Sequence, residues 1–192
     1  NCGARIDKPF ILEKFFPTTI DKYITLHPFS KGAKSYDYWQ TVVDILHPEL
    51  IKNGIIIAQL GESKEEKFKN CMHFNGATSL GQVAYVLKRG LLHLGVDSFP
   101  MHMSAAMNQK LGGLYPYCNI KNVGPYWGDK ERQSIFVGKS TNAKPAYAFE
   151  EHPKSINAIK PEEICRAVCK HLNIKLDYPY ETLFTGDSFK WK

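Results

Sequence analysis

The stretch of sequence that decides the fold is Leu91-Leu-His-Leu-Gly-Val-Asp-Ser-Phe-Pro-Met-His-Met-Ser-Ala-Ala-Met107. It begins with an apolar run that has the length of a buried strand. It breaks at residues 97–100 and continues as a helix-like segment in which Pro100 suits a first helical position. A strand that turns directly into a helix points the free N–H groups of the helix past the carboxyl edge of the sheet, where phosphate binds. The alternative is an ordinary strand–turn–helix corner without a ligand.

Strand and helix patterns alternate on both sides of this stretch, from residue 23 to residue 115. We predict strands over residues 23–27, 55–60, 71–74, 91–96, 111–115 and 134–137. Helices are predicted after Ser35, after Thr78 or Ser79, and from Pro161. This alternation is typical of a parallel sheet with helices on both faces, so the predicted fold is α/β and Rossmann-like.

Some details of these elements are also predicted. Ser35 is expected to cap the first long helix. The buried face of the second helix is expected to consist of Leu80, Val83, Ala84 and Leu87. The glycines of Leu111-Gly-Gly-Leu-Tyr115 indicate close approach of another backbone.

The length of 192 residues indicates one domain. We divide the chain into a lead-in segment or linker remnant (1–22), a Rossmann-like domain (23–174) and an aromatic C-terminal tail (175–192). The tail is too aromatic to be free, and we expect it to dock on the domain or on a partner. The chain does not begin with Met, which suggests a fragment or a processed chain.

Composition restricts the classes of function. The net charge of +6 is scattered, which suits a phosphorylated small ligand, and nucleic acid is not the expected partner. The five cysteines form no Cys-x-x-Cys pair and favour a reducing, cytoplasmic compartment. The seven histidines show no metal-ligand spacing, so no metal site is expected.

The polar residues that follow the predicted strands are the candidate ligand contacts. Ligands of parallel sheets bind at the carboxyl ends of the strands. The loop 28–34 contains a glycine and two lysines and suits a mobile cover over phosphates, although a solvated loop has the same composition. Glu62 could accept hydrogen bonds from a ribose or be an ordinary surface glutamate. The candidates are Ser30, Lys34, Glu62, Thr78, Asp97, Ser98 and His102.

The order of these motifs resembles glycosyltransferase family 9, the heptosyltransferase-like family with a GT-B fold. The likeness covers roughly residues 20–172 and is to the C-terminal, donor-binding domain. Its most specific part is Asp97-Ser98-x-Pro100-Met101-His102. It also rests on Leu26-His27 with the lysine loop, on Gly61-Glu62, on Thr78-Ser-Leu-x-Gln-Val-Ala-Tyr-Val-Leu87 and on Gly95-Val-Asp-Ser-Phe-Pro-Met-His-Met-Ser-Ala-Ala106.

The resemblance implies a role for each candidate. Residues around the donor's diphosphate would be Asp97, Ser98, Phe99 through its turn, His102, Lys34 and Ser30. Glu62 would bind the ribose and Thr78 would lie beside the base. Two departures stand out, because a glycine is common where Phe99 stands and because the spacing from Lys34 to Trp39 differs from the family pattern.

The function implied by the resemblance is sugar transfer from a nucleoside-diphosphate sugar to a glycan or lipid-linked acceptor. No cofactor is expected, and the lack of an Asp-x-Asp site favours a metal-independent reaction. The acceptor site and general base would come from an N-terminal domain outside these residues, so no catalytic residue is assigned. His102 could serve as a base, but a helix N-terminus depresses imidazole basicity and favours phosphate contact. The alternatives are a non-catalytic nucleotide or sugar-phosphate binding module and a structural domain that has lost its ligand.

Overall fold

The computed structural model describes residues 9–139, 151–185 and 188–191. Its main sheet has six parallel strands in the order β3-β2-β1-β4-β5-β6, which is the strand order of dinucleotide-binding Rossmann domains. The strands are β1 (Tyr23–His27), β2 (Ile56–Gln59), β3 (Met72–His73), β4 (His93–Val96), β5 (Leu111–Tyr115) and β6 (Gln133–Val137). All six lie where the sequence predicts a strand. The tail adds an antiparallel hairpin of β7 (Thr182–Thr185) and β8 (Ser188–Trp191).

Helices cover both faces of the sheet. They are α1 (Trp39–Lys52), α2 (Leu80–Arg89), α3 (Phe99–Ala106), the short α4 (Ile120–Val123) and α5 (Pro161–Leu172). Helices α1 and α5 pack on one face, where Trp39 and Ile164 share a buried cluster with Leu94 of β4. Helices α2 and α3 cover the other face, where their buried residues form two further clusters. Both faces carry apolar side chains because alternate strand residues point to opposite sides of the sheet. The prediction of a Rossmann-like α/β fold is confirmed.

The prediction that Ser35 caps the first long helix is wrong. Helix α1 begins at Trp39, with Tyr38 at the N-cap. Residues 32–34 form a 3₁₀ turn instead. The hydroxyl of Ser35 donates to the Ser30 carbonyl at 2.6 Å and accepts from the Ser30 N–H at 3.3 Å. Ser35 therefore closes the loop at residues 30–35.

The second helix begins as predicted at its cap but differs in its buried face. Ser79 and Gln82 form a reciprocal capping box at the start of α2. Val83, Ala84 and Leu87 are buried, whereas Leu80 is 66% exposed. The prediction that Leu80 is buried is wrong, because Leu80 lines an open cleft.

The glycines of β5 make room for side chains and not for a backbone. A Cβ atom at Gly112 would lie 2.8 Å from Cδ1 of Leu94, and one at Gly113 would lie 2.9 Å from Sδ of Met101. Close backbone approach occurs at Gly95 instead, where a Cβ would lie 2.7 Å from the carbonyl oxygen of His27. Gly95 thus allows the carboxyl ends of β1 and β4 to pair closely.

The described parts of the lead-in segment and the tail pack on the domain. The N–H of Lys14 donates to the Gly81 carbonyl at 2.9 Å, and Phe16 meets Phe74 edge-on at 5.2 Å. In the tail, buried Glu162 accepts hydrogen bonds from the N–H and the hydroxyl of Thr182 at 2.8 and 2.6 Å. The side chains of Phe184, Phe189 and Trp191 lie outside the described part, as do residues 1–8 and 140–150. No helix among the described residues has the length and apolarity of a membrane span.

A substitution at Gly95 tests the close pairing of β1 with β4. Gly95→Ala is expected to lower the free energy of unfolding by about 1–3 kcal/mol, because the new methyl group meets a backbone oxygen that cannot move alone. Gly90→Ala is the matched control, since its Cβ would have its nearest neighbour at 3.4 Å. Urea unfolding followed by circular dichroism measures both. Equal stabilities of the two variants would contradict the close approach.

Candidate functional site

The candidate site lies where the strand order reverses. The chain leaves β1 towards β2 and leaves β4 towards β5, so a crevice opens between the carboxyl ends of β1 and β4. β1 ends at His27, and β4 ends at Val96 directly before the turn at Asp97-Ser98. The hydroxyl of Ser98 lies 3.0 Å from Nδ1 of His27 and joins the two strand ends.

An ionic cluster occupies this turn. Nζ of Lys34 lies 2.6 Å from Oδ2 of Asp97, and Nε2 of His102 lies 3.3 Å from Oδ1. Asp97 is only 8% exposed, whereas the side chains of Lys34 and His102 are each 44% exposed. The carboxylate therefore points inward and the two nitrogen-bearing groups remain accessible. Burial alone raises the pKa of Asp97, but hydrogen bonds from His102 and Lys34 outweigh it and hold the pKa below its ordinary value.

The lysine loop is fastened to the same turn. The hydroxyl of Ser30 donates to the Asp97 carbonyl at 3.1 Å. The bonds between Ser30 and Ser35 hold the loop in this position. The structure therefore brings Ser30, Lys34, Asp97, Ser98 and His102 together, although Lys34 and His102 belong to segments far apart in the sequence.

Helix α3 begins at this turn without a side-chain cap. Ser98 occupies the N-cap, but its hydroxyl makes no capping bond and instead lies 3.3 Å from the Val96 carbonyl, in addition to its contact with His27. Pro100 in the first turn has no N–H to satisfy. The partial positive charge of the α3 N-terminus adds to that of Lys34 at the same corner.

A cleft of about 690 Å³ runs along the carboxyl ends of β1 and β2 beside the cluster. The walls contain five of the predicted residues: Ser30, Glu62, Thr78, Ser98 and Phe99. Lys34, Asp97 and His102 do not form its walls and make up the neighbouring cluster, which Ser30 and Ser98 connect to the cleft. Phe99 is 45% exposed, and its ring lies edge-on to the ring of His27 at 5.9 Å.

The opposite end of the cleft is acidic. Oε2 of Glu62 pairs with Nζ of Lys64 at 3.3 Å, and both side chains are well exposed. Glu65 is more enclosed: its Oε2 accepts from the N–H of Glu62 at 3.0 Å, and a Cβ at Gly61 would lie 1.9 Å from that oxygen. Burial is the largest cause of the raised pKa of Glu65.

Sequence reasoning missed several cleft residues, notably His27, Phe29, Lys31 and Glu65. His27 ends β1, and Phe29 and Lys31 lie in the loop that follows it, so the rule that ligands meet strand ends could have indicated all three. Glu65 lies within Lys64-Glu-Glu-Lys67, where no feature of the sequence separates it from Glu66. Among the residues that the structure describes, no three His, Cys, Asp or Glu side chains form a group that could hold a metal ion.

A parallel sheet with this strand order, and an open cleft at its switch point, defines a Rossmann-like α/β domain. Residues 20–152 match the model of the family described as Glycosyltransferase family 9 (heptosyltransferase), so the chain belongs to that family. The comparison with curated protein sequences found no match.

Solved structures of the family share the fold. E. coli ADP-heptose LPS heptosyltransferase II is 18% identical with a TM-score of 0.61, over 81% of this chain and 48% of that one. The family 9 glycosyltransferase from Veillonella parvula is 18% identical with a TM-score of 0.62, over 82% and 48%. E. coli heptosyltransferase WaaC with ADP is 17% identical with a TM-score of 0.59, over 81% and 46%. This chain thus spans about half the length of the structures that it matches.

The ionic cluster predicts a pH-dependent contribution to stability. A carboxyl whose pKa is lowered on folding stabilises the native state above its unfolded pKa, near the ordinary value of 3.8, and loses this effect as the pH falls through the folded value. Asp97→Asn is therefore expected to cost about 1–3 kcal/mol at pH 7 and less as the pH falls below about 4. Denaturant unfolding between pH 7 and pH 3 measures the difference.

The control for this prediction is Asp37→Asn, which alters a surface ion pair with Lys154. A surface pair contributes about 0–1 kcal/mol, so this variant is expected to remain close to the wild type. A cost for Asp97→Asn that stays constant down to pH 3 would contradict an ionised, paired Asp97.

Proposed function

We propose that this chain binds a nucleoside-diphosphate sugar as the C-terminal, donor-binding domain of a GT-B glycosyltransferase. The donated sugar would be of the heptose type and would pass to a glycan or lipid-linked acceptor. The observation that carries the proposal is the accessible Lys34 and His102, held by buried Asp97 next to the start of α3 and the cleft. Family membership supports the reaction class, and the relatives named for ADP-heptose or bound to ADP support the donor class.

In this proposal the diphosphate lies at the corner where α3 begins. Asp97 does not contact it, because two anions repel; Asp97 holds Lys34 and His102 in place. The ammonium group of Lys34 has three donors, so it can keep its bond to Asp97 and still contact a phosphate oxygen. Ser98 and Ser30 add hydroxyl groups at the same corner.

The nucleoside would occupy the rest of the cleft. Glu62 and Glu65 lie where ribose hydroxyls would need acceptors. Thr78, Leu80 and Val83 provide a mainly apolar wall beside the base. In this arrangement Leu80 is exposed in the free protein because it would contact the base.

The chemical contribution of this domain would be to stabilise the leaving group. When the sugar bond breaks, negative charge develops on the departing diphosphate, and fixed positive groups stabilise it most at that moment. Lys34 and the α3 N-terminus would do this without a metal ion, and His102 would lie beside the diphosphate. The base that takes the acceptor proton would come from an N-terminal acceptor domain. A cytoplasmic location belongs to this proposal, supported by the free thiols of Cys71, Cys118, Cys165 and Cys169.

Calorimetric titration with ADP, UDP, GDP and CDP tests donor binding. Lys34→Ala is expected to weaken the best of these ligands about tenfold to a hundredfold, because it removes a charge-assisted hydrogen bond. Lys52→Ala removes a lysine with a comparable ion pair, to Glu49, far from the cleft, and is expected to leave the affinity unchanged. A wild-type chain that binds none of the four ligands would falsify the proposal.

A separate experiment tests the ribose contact, because either Glu62 or Glu65 could make it. Glu65→Gln is expected to weaken a ribonucleoside diphosphate about threefold to tenfold by removing a charged acceptor. The same variant is expected to have no effect on the matching 2′,3′-dideoxy ligand, which lacks the hydroxyls. Glu62→Gln, measured in parallel, assigns the contact to Glu62 if the effect appears there. Equal losses with both kinds of ligand would argue against a ribose contact by either acid.

A further inference from the structure

His27 lines the cleft, and the proposed function gives it no role. It ends β1 at the switch point; its Nδ1 lies 3.0 Å from the hydroxyl oxygen of Ser98, and its ring centroid lies 5.9 Å from that of Phe99. Its carbonyl oxygen is the atom that Gly95 accommodates across the β1–β4 pair. The backbone of His27 is thus held by the strand pair, and its ring contacts Ser98 and Phe99.

Burial keeps this imidazole uncharged. It lowers the pKa of His27 to about 4, and the neighbouring, fully buried His93 has a pKa lowered to about 3 for the same reason. A neutral imidazole carries one N–H, on either Nδ1 or Nε2. The nitrogen that faces Ser98 is Nδ1, so its protonation decides what the Ser98 hydroxyl does.

The hydroxyl of Ser98 has a single hydrogen and three directions in which to use it. Its oxygen lies 3.0 Å from Nδ1 of His27 and 3.3 Å from the Val96 carbonyl, and its third direction is the cleft. If the hydroxyl donates to Nδ1 or to Val96, only oxygen lone pairs face the cleft, and these repel an anion. If Nδ1–H donates to the Ser98 oxygen, the hydroxyl hydrogen can point into the cleft.

We propose that His27 is a positioning residue for the diphosphate: its Nδ1–H donates to Oγ of Ser98, so that the Ser98 hydroxyl donates to a phosphate oxygen. This inference rests on the proposed function, since it needs a phosphate at the corner. It assigns the Nδ1–H tautomer to the ligand-bound state. It also explains why Ser98, at the N-cap of α3, does not cap the helix.

A pair of nearly isosteric substitutions tests this role. The amide of His27→Asn can place a donor near the position of Nδ1, whereas His27→Leu has a similar shape and no donor. His27→Leu is expected to weaken the best-bound nucleoside diphosphate about tenfold, as much as Ser98→Ala does, and His27→Asn is expected to remain within about threefold of the wild type. If His27→Leu fails to fold, His27→Gln replaces it, because its longer amide reaches past the Nδ1 position.

Two further measurements separate positioning from a merely structural effect. The double variant of His27→Leu and Ser98→Ala is expected to be no weaker than either single variant, because both remove the same hydrogen bond to the ligand. The corresponding nucleoside, which lacks phosphates, is expected to lose no affinity with any of these variants. Nitrogen-15 NMR of the wild type with ligand is expected to show a protonated Nδ1 in His27.

The outcomes distinguish this inference from the proposed function. Wild-type binding combined with additive losses in the double variant, or with an unprotonated Nδ1, overturns the role of His27 and leaves donor binding intact. Wild-type failure to bind any nucleoside diphosphate overturns both. Non-additive losses that are confined to phosphate-bearing ligands, together with the rescue by Asn, support the assignment.

Discussion

The close pairing of β1 with β4 is the constraint on which the candidate site depends. The register places His27 opposite Gly95, and the missing side chain lets the two strand ends approach. Because the connections diverge after these two strands, the crevice can open only here. The same pairing sets the Ser98 hydroxyl at hydrogen-bond distance from the His27 ring. Topology thus decides where the cleft lies, and Gly95 allows the two strand ends beside it to meet closely.

A buried carboxylate beside a proposed anion site has a physical justification. Asp97 is too enclosed to meet a ligand; its carboxylate pairs with Lys34 and accepts a hydrogen bond from His102. Two flexible side chains that would otherwise sample many rotamers are thereby held in one place, so less conformational entropy is lost when a ligand binds. The Ser30 hydroxyl extends this order to the lysine loop by binding the Asp97 carbonyl. Loop, turn and helix therefore form one preorganised corner.

The parts of this architecture that follow from local chemistry could be predicted from sequence. β1 and β5 have their predicted bounds because apolar runs end there at a polar or proline residue. A cap at Thr78 or Ser79 was predicted from residue type, and Ser79 provides it through a capping box with Gln82. The predictions that failed concern residues whose role depends on contacts made in the folded chain. Ser35 closes a loop and does not cap a helix because it bonds to Ser30, and Leu80 is exposed because it lines the cleft. The enclosure of Glu65 against Gly61 could not be predicted, since it depends on how a charged loop folds back.

Phe99 shows how a departure from a family pattern can fit the rest of a site. The resemblance places a glycine where this chain has a phenylalanine, and a glycine would leave the His27 ring open to water. Here the aromatic ring covers the edge of His27 and still forms part of the cleft wall. An apolar neighbour lowers the local dielectric, which would strengthen the hydrogen bond between His27 and Ser98. Phe99 is therefore compatible with the proposed diphosphate corner, in which oriented hydroxyls would act beside the charge of Lys34.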